Sequence, residues 1–181
     1  MITDPNLRGD YSRAAADYTV SQDWSAYTPD EHSLFRRLYE RQAKLVARYA
    51  CPEWIEAIGR LDAGREIPKF GEINKSLSKA TGWEIVAVPG LIPDGPFFKH
   101  LAERRFPVTV WLRKPEEFDY IVEPDVFHDF FGHVPLLFDP VYADYMAAYG
   151  EGGLKAARLE DRKSTRLNSS HRTVSRMPSS A

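Results

Sequence analysis

The sequence predicts a mainly α-helical domain with a small β-sheet, an α+β fold. Three observations predict it: capped segments with apolar residues at helical spacing, two short segments rich in β-branched residues, and no internal repeat. With 181 residues, 43% of them hydrophobic and 13% aromatic, the chain can bury one sizeable core. The formal net charge of −2 argues against a nucleic-acid or membrane-surface partner. A single cysteine, Cys51, excludes an intrachain disulfide and a cysteine-built zinc site. Its apolar surroundings predict a small buried residue. The N-terminus lacks the basic and apolar regions of a signal peptide, and no run reaches transmembrane length. A cytoplasmic, soluble protein is the expectation.

Residues 1–22 are polar and mixed and read as an N-terminal arm. Thr28-Pro29-Asp30-Glu31 is a capping box, with threonine as N-cap and proline in the first turn. The helix it opens carries Leu34, Phe35, Leu38, Leu45 and Tyr49 along one side. Pro52 stops it and starts a second helix with Trp54, Ile55, Ile58 and Leu61. A third has Phe70, Ile73, Leu77 and Ala80 at helical spacing, and Gly82 is placed to end it. The period then changes. Trp83 to Val88 predicts a strand, Pro89-Gly90 a turn, and Asp94 the cap of a short helix with Phe97, Phe98 and Leu101. Phe106 to Arg113 alternates, with Val108, Val110 and Leu112 on one face and Thr109, Trp111 and Arg113 on the other. Asp139-Pro140 starts a last helix with Tyr142, Tyr145, Met146 and Tyr149, which Gly150 is expected to close.

Residues 162–181 depart from this pattern. They are basic and serine-rich, with no acid, no aromatic and no apolar period. A natural basic tail is one reading; the preferred one is non-native, disordered sequence joined to a truncated gene. The core domain is therefore placed at 23–161.

The segment Glu123 to Pro135 carries the chemistry, with His128 and His133 five positions apart among aromatics. Asp125 or Pro124 can start a helix, and Pro135 is expected to forbid a helical residue directly before it. Five residues on an ideal α-helix turn the two rings about 140° apart. They converge on one metal only if the helix loosens near Gly132. Spacing alone leaves two readings open: metal ligands, or hydrogen-bonded core histidines.

Taken together, the chain resembles the pterin-dependent aromatic amino acid hydroxylases, in particular their bacterial phenylalanine-hydroxylating branch. The likeness runs from about Asp23 to Ala157 and rests on linked segments. These are Gln22-Asp23-Trp24, Glu40-Arg41-Gln42, Ala80-Thr81-Gly82-Trp83, Val88-Pro89-Gly90-Leu91, Arg104-Arg105-Phe106-Pro107, Glu123 to Pro135, and Ala143-Asp144-Tyr145. The resemblance implies that His128 and His133 bind Fe(II), the third ligand being a glutamate further along the chain. It implies tetrahydropterin as cosubstrate, stacked on Phe97 and touched by the backbone of Gly90, Leu91 and Ile92. Asp129 falls at an acidic position near the pterin and metal-bound waters and is the residue assigned to catalysis; a solvated helix charge or a hydrogen-bond partner of a ligand is the plainer reading. Arg113 would pair with the substrate carboxylate, with Trp111 lining the pocket and Asp125 supporting the arginine.

The reaction so implied is hydroxylation of L-phenylalanine to L-tyrosine with O2, in phenylalanine catabolism. Tyrosine or tryptophan hydroxylation, a non-catalytic module holding an aromatic amino acid or pterin, and a zinc hydrolase with Asp129 as base are the alternatives. Glu151, Glu160 and Asp161 belong to another part of the family pattern, so the chain carries two of three ligands and is expected to be an inactive fragment. A monomer is the simplest expectation.

Overall fold

The computed structural model describes residues 18–61 and 63–173, with side chains as far as 159. Helix α1 (Pro29–Tyr49) starts as predicted: the Glu31 amide donates to the Thr28 hydroxyl at 3.2 Å, and the Thr28 amide donates to the Glu31 carboxylate at 2.7 Å. Only the first half of its apolar side is buried, through Leu34, Phe35 and Leu38. Leu45 and Tyr49 are 49% and 70% exposed, where the helix end borders an open apolar groove with Trp54, Phe131 and Leu136. Cys51 lies on the same groove. Contrary to the sequence expectation it is exposed, because it is the N-cap of helix α2 (Pro52–Arg60) and not part of a buried face. On α2, Trp54 and Ile58 are buried while Ile55 is 40% exposed. Helix α3 (Phe70–Thr81) buries Phe70, Ile73 and Leu77 but leaves Ala80 exposed. Gly82, at φ +73°, ends it in the left-handed region that favours glycine.

Strand β1 (Glu84–Val88), helix α4 (Asp94–Ala102) and strand β2 (Arg105–Thr109) form one β-α-β unit. The strands pair in parallel, from Glu84 opposite Arg105 to Val88 opposite Thr109. A parallel pair needs a crossover, which α4 supplies. Pro93, not Asp94, is the N-cap of α4; Asp94 sits in the first turn, where its charge complements the helix N-terminus. The predicted second strand is four residues too long, and its alternation does not divide buried from exposed. Val108 and Thr109 are 0% and 2% exposed, and Leu112 and Arg113 8% and 9%. Helix α5 (Val126–His133) packs against β2, so neither face of that strand meets solvent.

Helix α6 (Pro140–Thr173) is capped by Asp139, whose carboxylate accepts from the Tyr142 amide at 2.8 Å. It does not close at Gly150. That glycine is buried where α6 crosses α4: a Cβ there would lie 2.4 Å from the Ala102 amide nitrogen, and one at Gly153 would lie 2.3 Å from Phe98 Cδ1. Both glycines let two backbones approach, a role that leaves no mark distinguishable from a helix stop in sequence. The helix runs on to Thr173, through the first part of the segment predicted to be disordered; residues 174–181 lie outside the described residues. At the other end, most of the predicted arm also lies outside them, but Val20 and Gln22 are tied to the domain. The Val20 amide donates to Ala87 O at 2.9 Å, and Gln22 bonds both Pro68 O and the Phe70 amide.

One core joins these elements through Phe35, Leu77, Ile85, Leu101, Val108 and Phe130, all at most 2% exposed. The fold is mainly helical with one small sheet, as the sequence predicts. Among the described residues no helix is long and apolar enough to cross a membrane.

Candidate metal and substrate site

Asp125 organises the site. It is fully buried and caps α5, its Oδ1 accepting from the His128 amide at 2.9 Å. The same carboxylate accepts from Arg113 three times: from the amide at 3.0 Å, from Nε at 2.8 Å and from Nη2 at 3.0 Å. Four donors on two oxygens compensate the burial of its charge. Arg113 keeps Nη1 for another acceptor and lies over the Phe127 ring at 5.7 Å. Asp125 thus holds the Arg113 side chain in one orientation.

His128 and His133 converge. Their ring centroids are 5.3 Å apart at an interplanar angle of 63°. The departure from ideal winding falls at His133, whose φ is −119°, and the chain continues as a 3-10 helix over Val134–Phe138. The tighter turn also explains Val134, which is helical (φ −61°, ψ −39°) directly before Pro135, against the sequence expectation. Gly132 is exposed, with open space where a side chain would stand. An aromatic cluster holds the helix in place: Phe127 stacks on Phe131 at 5.0 Å and meets Phe35 edge-on at 5.4 Å, while Trp54 donates to Phe131 O.

Asp129 links α5 to the sheet. Its Oδ2 accepts from the Thr109 amide at 2.9 Å, and its Oδ1 lies 3.1 Å from His128 Nδ1. That hydrogen bond raises the His128 pKa above its ordinary 6.5; burial opposes the shift, and the charges of Asp129 and Asp125 reinforce it. His133 moves the other way, lowered by burial and then by the charge of His128. With Nδ1 engaged by Asp129, the outward donor of His128 is Nε2.

These groups gather at the carboxyl ends of the two parallel strands, where ligands bind in open α/β sheets. Asp129 is fastened to the last residue of β2, and the segment Val110–Arg113 leaves that strand end. The loop after β1 holds Gly90, which faces the Trp111 indole: a Cβ there would lie 3.8 Å from Trp111 Nε1. Leu91 is 70% exposed and Ile92 half-buried in the same loop. Phe97 stands half-buried in α4 and meets Phe98 edge-on at 5.8 Å.

The donor set fits a borderline divalent metal in part. Two imidazoles converge, one hydrogen-bonded from behind and one held neutral, as metal-binding histidines are. Among the described residues no group of three or more His, Cys, Asp or Glu side chains could hold a metal ion.

The family of biopterin-dependent aromatic amino acid hydroxylases matches residues 6–169. The chain belongs to that family. Among family members, the phenylalanine-4-hydroxylase of Chromobacterium violaceum is 54% identical over 149 residues, 82% of this chain and 50% of that protein. That of Ralstonia nicotianae is 55% identical over 144 residues, 79% of this chain and 46% of that protein. The fold agrees too. The crystal structure of the Chromobacterium violaceum enzyme with bound iron(III) and oxidised 7,8-dihydrobiopterin superposes with a TM-score of 0.75 at 48% identity, covering 86% of this chain and 58% of that one. Its iron- and phenylalanine-bound form gives 0.74 at 49% identity, covering 83% and 57%. The chain thus spans about half the length of the relatives it matches.

Proposed function

We propose that the protein from which this chain comes is a cytoplasmic phenylalanine 4-monooxygenase of phenylalanine catabolism, converting L-phenylalanine to L-tyrosine with O2 and a tetrahydropterin at Fe(II), and that the chain as it stands lacks this activity. The observation that carries the reading is the convergence of His128 and His133 beside Arg113, at the carboxyl ends of both strands. The iron and phenylalanine bound by the Chromobacterium violaceum structures support it.

In this reading His128 and His133 supply two nitrogen ligands, and ferrous iron supplies the means of activating O2 with electrons from the pterin. Asp129 would hold the proton on His128 Nδ1 and so leave the Nε2 lone pair free for a metal. Arg113 presents its remaining guanidinium donors to the substrate carboxylate; its fork is already fixed by Asp125, so little orientation is lost on binding. Trp111 and Gly90, which face each other, would line the substrate side, and Phe97 would offer a ring to the pterin. The expected inactivity rests on the ligand count: among the described residues no third ligand joins the two imidazoles, which alone would hold a divalent metal loosely and would not fix its open positions.

The test is a tyrosine-forming assay with Fe(II), O2 and a tetrahydropterin. This chain is expected to give none, and the same sequence joined to the corresponding C-terminal half of a relative is expected to give tyrosine. Turnover by the chain alone would overturn the incompetence; absence of tyrosine from a folded, iron-loaded joined protein would overturn the reaction.

A further inference from the structure

Residues 20–27 form a strap across the sheet edge. Its Val20 amide donates to Ala87 O at 2.9 Å beside β1, and Trp24 Nε1 donates to Ile67 O at 2.6 Å. At its end the half-buried Tyr27 hydroxyl donates to the carbonyl of Val110.

Val110 is the first residue beyond β2, and the ladder runs out there. Its amide still reaches Val88 O at 3.1 Å, but β1 ends at Val88. The Val110 carbonyl therefore has no strand to accept from, and Tyr27 takes the place of the missing neighbour. The next residues carry the substrate side of the site: Trp111 O accepts from the Val126 amide at 2.9 Å, and Arg113 is gripped by Asp125. The segment is thus fixed from α5 on one side and from the strap on the other.

The geometry points to Tyr27 as a positioning residue for substrate recognition: its hydroxyl sets the path of Val110–Arg113 and through it the place of the Arg113 guanidinium. This rests on the reading of Arg113 as the carboxylate-binding residue. The strap is a structural part of the site, although it lies more than eighty residues away in sequence.

The variant Tyr27→Phe keeps the ring and removes the hydroxyl, with its bond to Val110 O and its contact with the Gln22 side chain inside the strap. Amide hydrogen exchange followed by NMR should show Val110 and Val126 exchanging about three- to tenfold faster, with Leu77 in the core unchanged. Unchanged exchange at Val110 and Val126 would overturn the proposal, and so would equal acceleration at Leu77, which marks general loosening. A second readout compares binding of L-phenylalanine with phenethylamine, which lacks the carboxylate. The wild-type chain is expected to prefer phenylalanine, and Tyr27→Phe to reduce that preference several-fold with no change in melting temperature. No preference in the wild type would remove the Arg113 reading, while the exchange result would still decide the role of Tyr27.

Discussion

The strand ends and the α1–α2 groove are built on opposite terms. At the strand ends Asp125 is fully buried with four donors on its carboxylate, three of them from Arg113, and Asp129 is bonded to both Thr109 and His128. In the groove Leu45, Tyr49 and Cys51 stand open to solvent beside Phe131 and Leu136. One region is closed by residues of this chain, whereas the other is an apolar surface with no cover among the described residues. The contrast teaches that the polar groups at the strand ends find their partners among the described residues, while the histidines follow on the helix whose Phe131 borders the open groove.

The largest effect should therefore come from the closed region. Asp125→Ala leaves Arg113 buried without its anion and removes the α5 cap; urea denaturation should show a loss of about 3–5 kcal/mol. A loss below about 1 kcal/mol would mean that the pair is no more than a surface contact.

The histidine pair should respond through protonation. NMR titration of the two imidazoles should find His128 with a midpoint above 6.5 and His133 with one below it. Because a metal must displace the proton on His128, metal affinity should climb as pH rises through the His128 midpoint. Asp129→Asn removes the chief cause of the upward shift and should bring that midpoint down. Equal midpoints for both rings would contradict the asymmetry.

The smallest effect belongs to the open side. Leu45→Ser and Tyr49→Ser should change the stability of this chain by no more than about 0.5 kcal/mol each, measured by the same denaturation. A larger loss would show that the groove is covered in solution.

What was legible in the sequence follows the same division. Local signals carried well: the Thr28–Glu31 box, Pro52 between two helices, Gly82 at a helix end and Asp139 before α6 all act within a few residues of themselves. The convergence of His128 and His133 was legible as a condition, that the helix must loosen, although the irregularity falls at His133 instead of Gly132. Periodicity marked Leu45 and Tyr49 as an apolar face but carries no information on what covers it. Gly150 read as a stop because a close helix crossing and a helix end draw on the same property of glycine. The hydrogen bonds from Tyr27 to Val110 and from the Thr109 amide to Asp129 span 83 and 20 residues, and no local pattern announces them. A helix between two strand candidates could have signalled the parallel pairing.

The claim on which the account depends is that both imidazoles serve one metal ion. Cobalt(II), a paramagnetic probe, tests it directly through the ring-proton resonances of His128 and His133. One equivalent should shift both rings together, and His133→Ala should abolish the shift at His128 at the same cobalt concentration. Independent shifts, or a His128 response that survives His133→Ala unchanged, would contradict it.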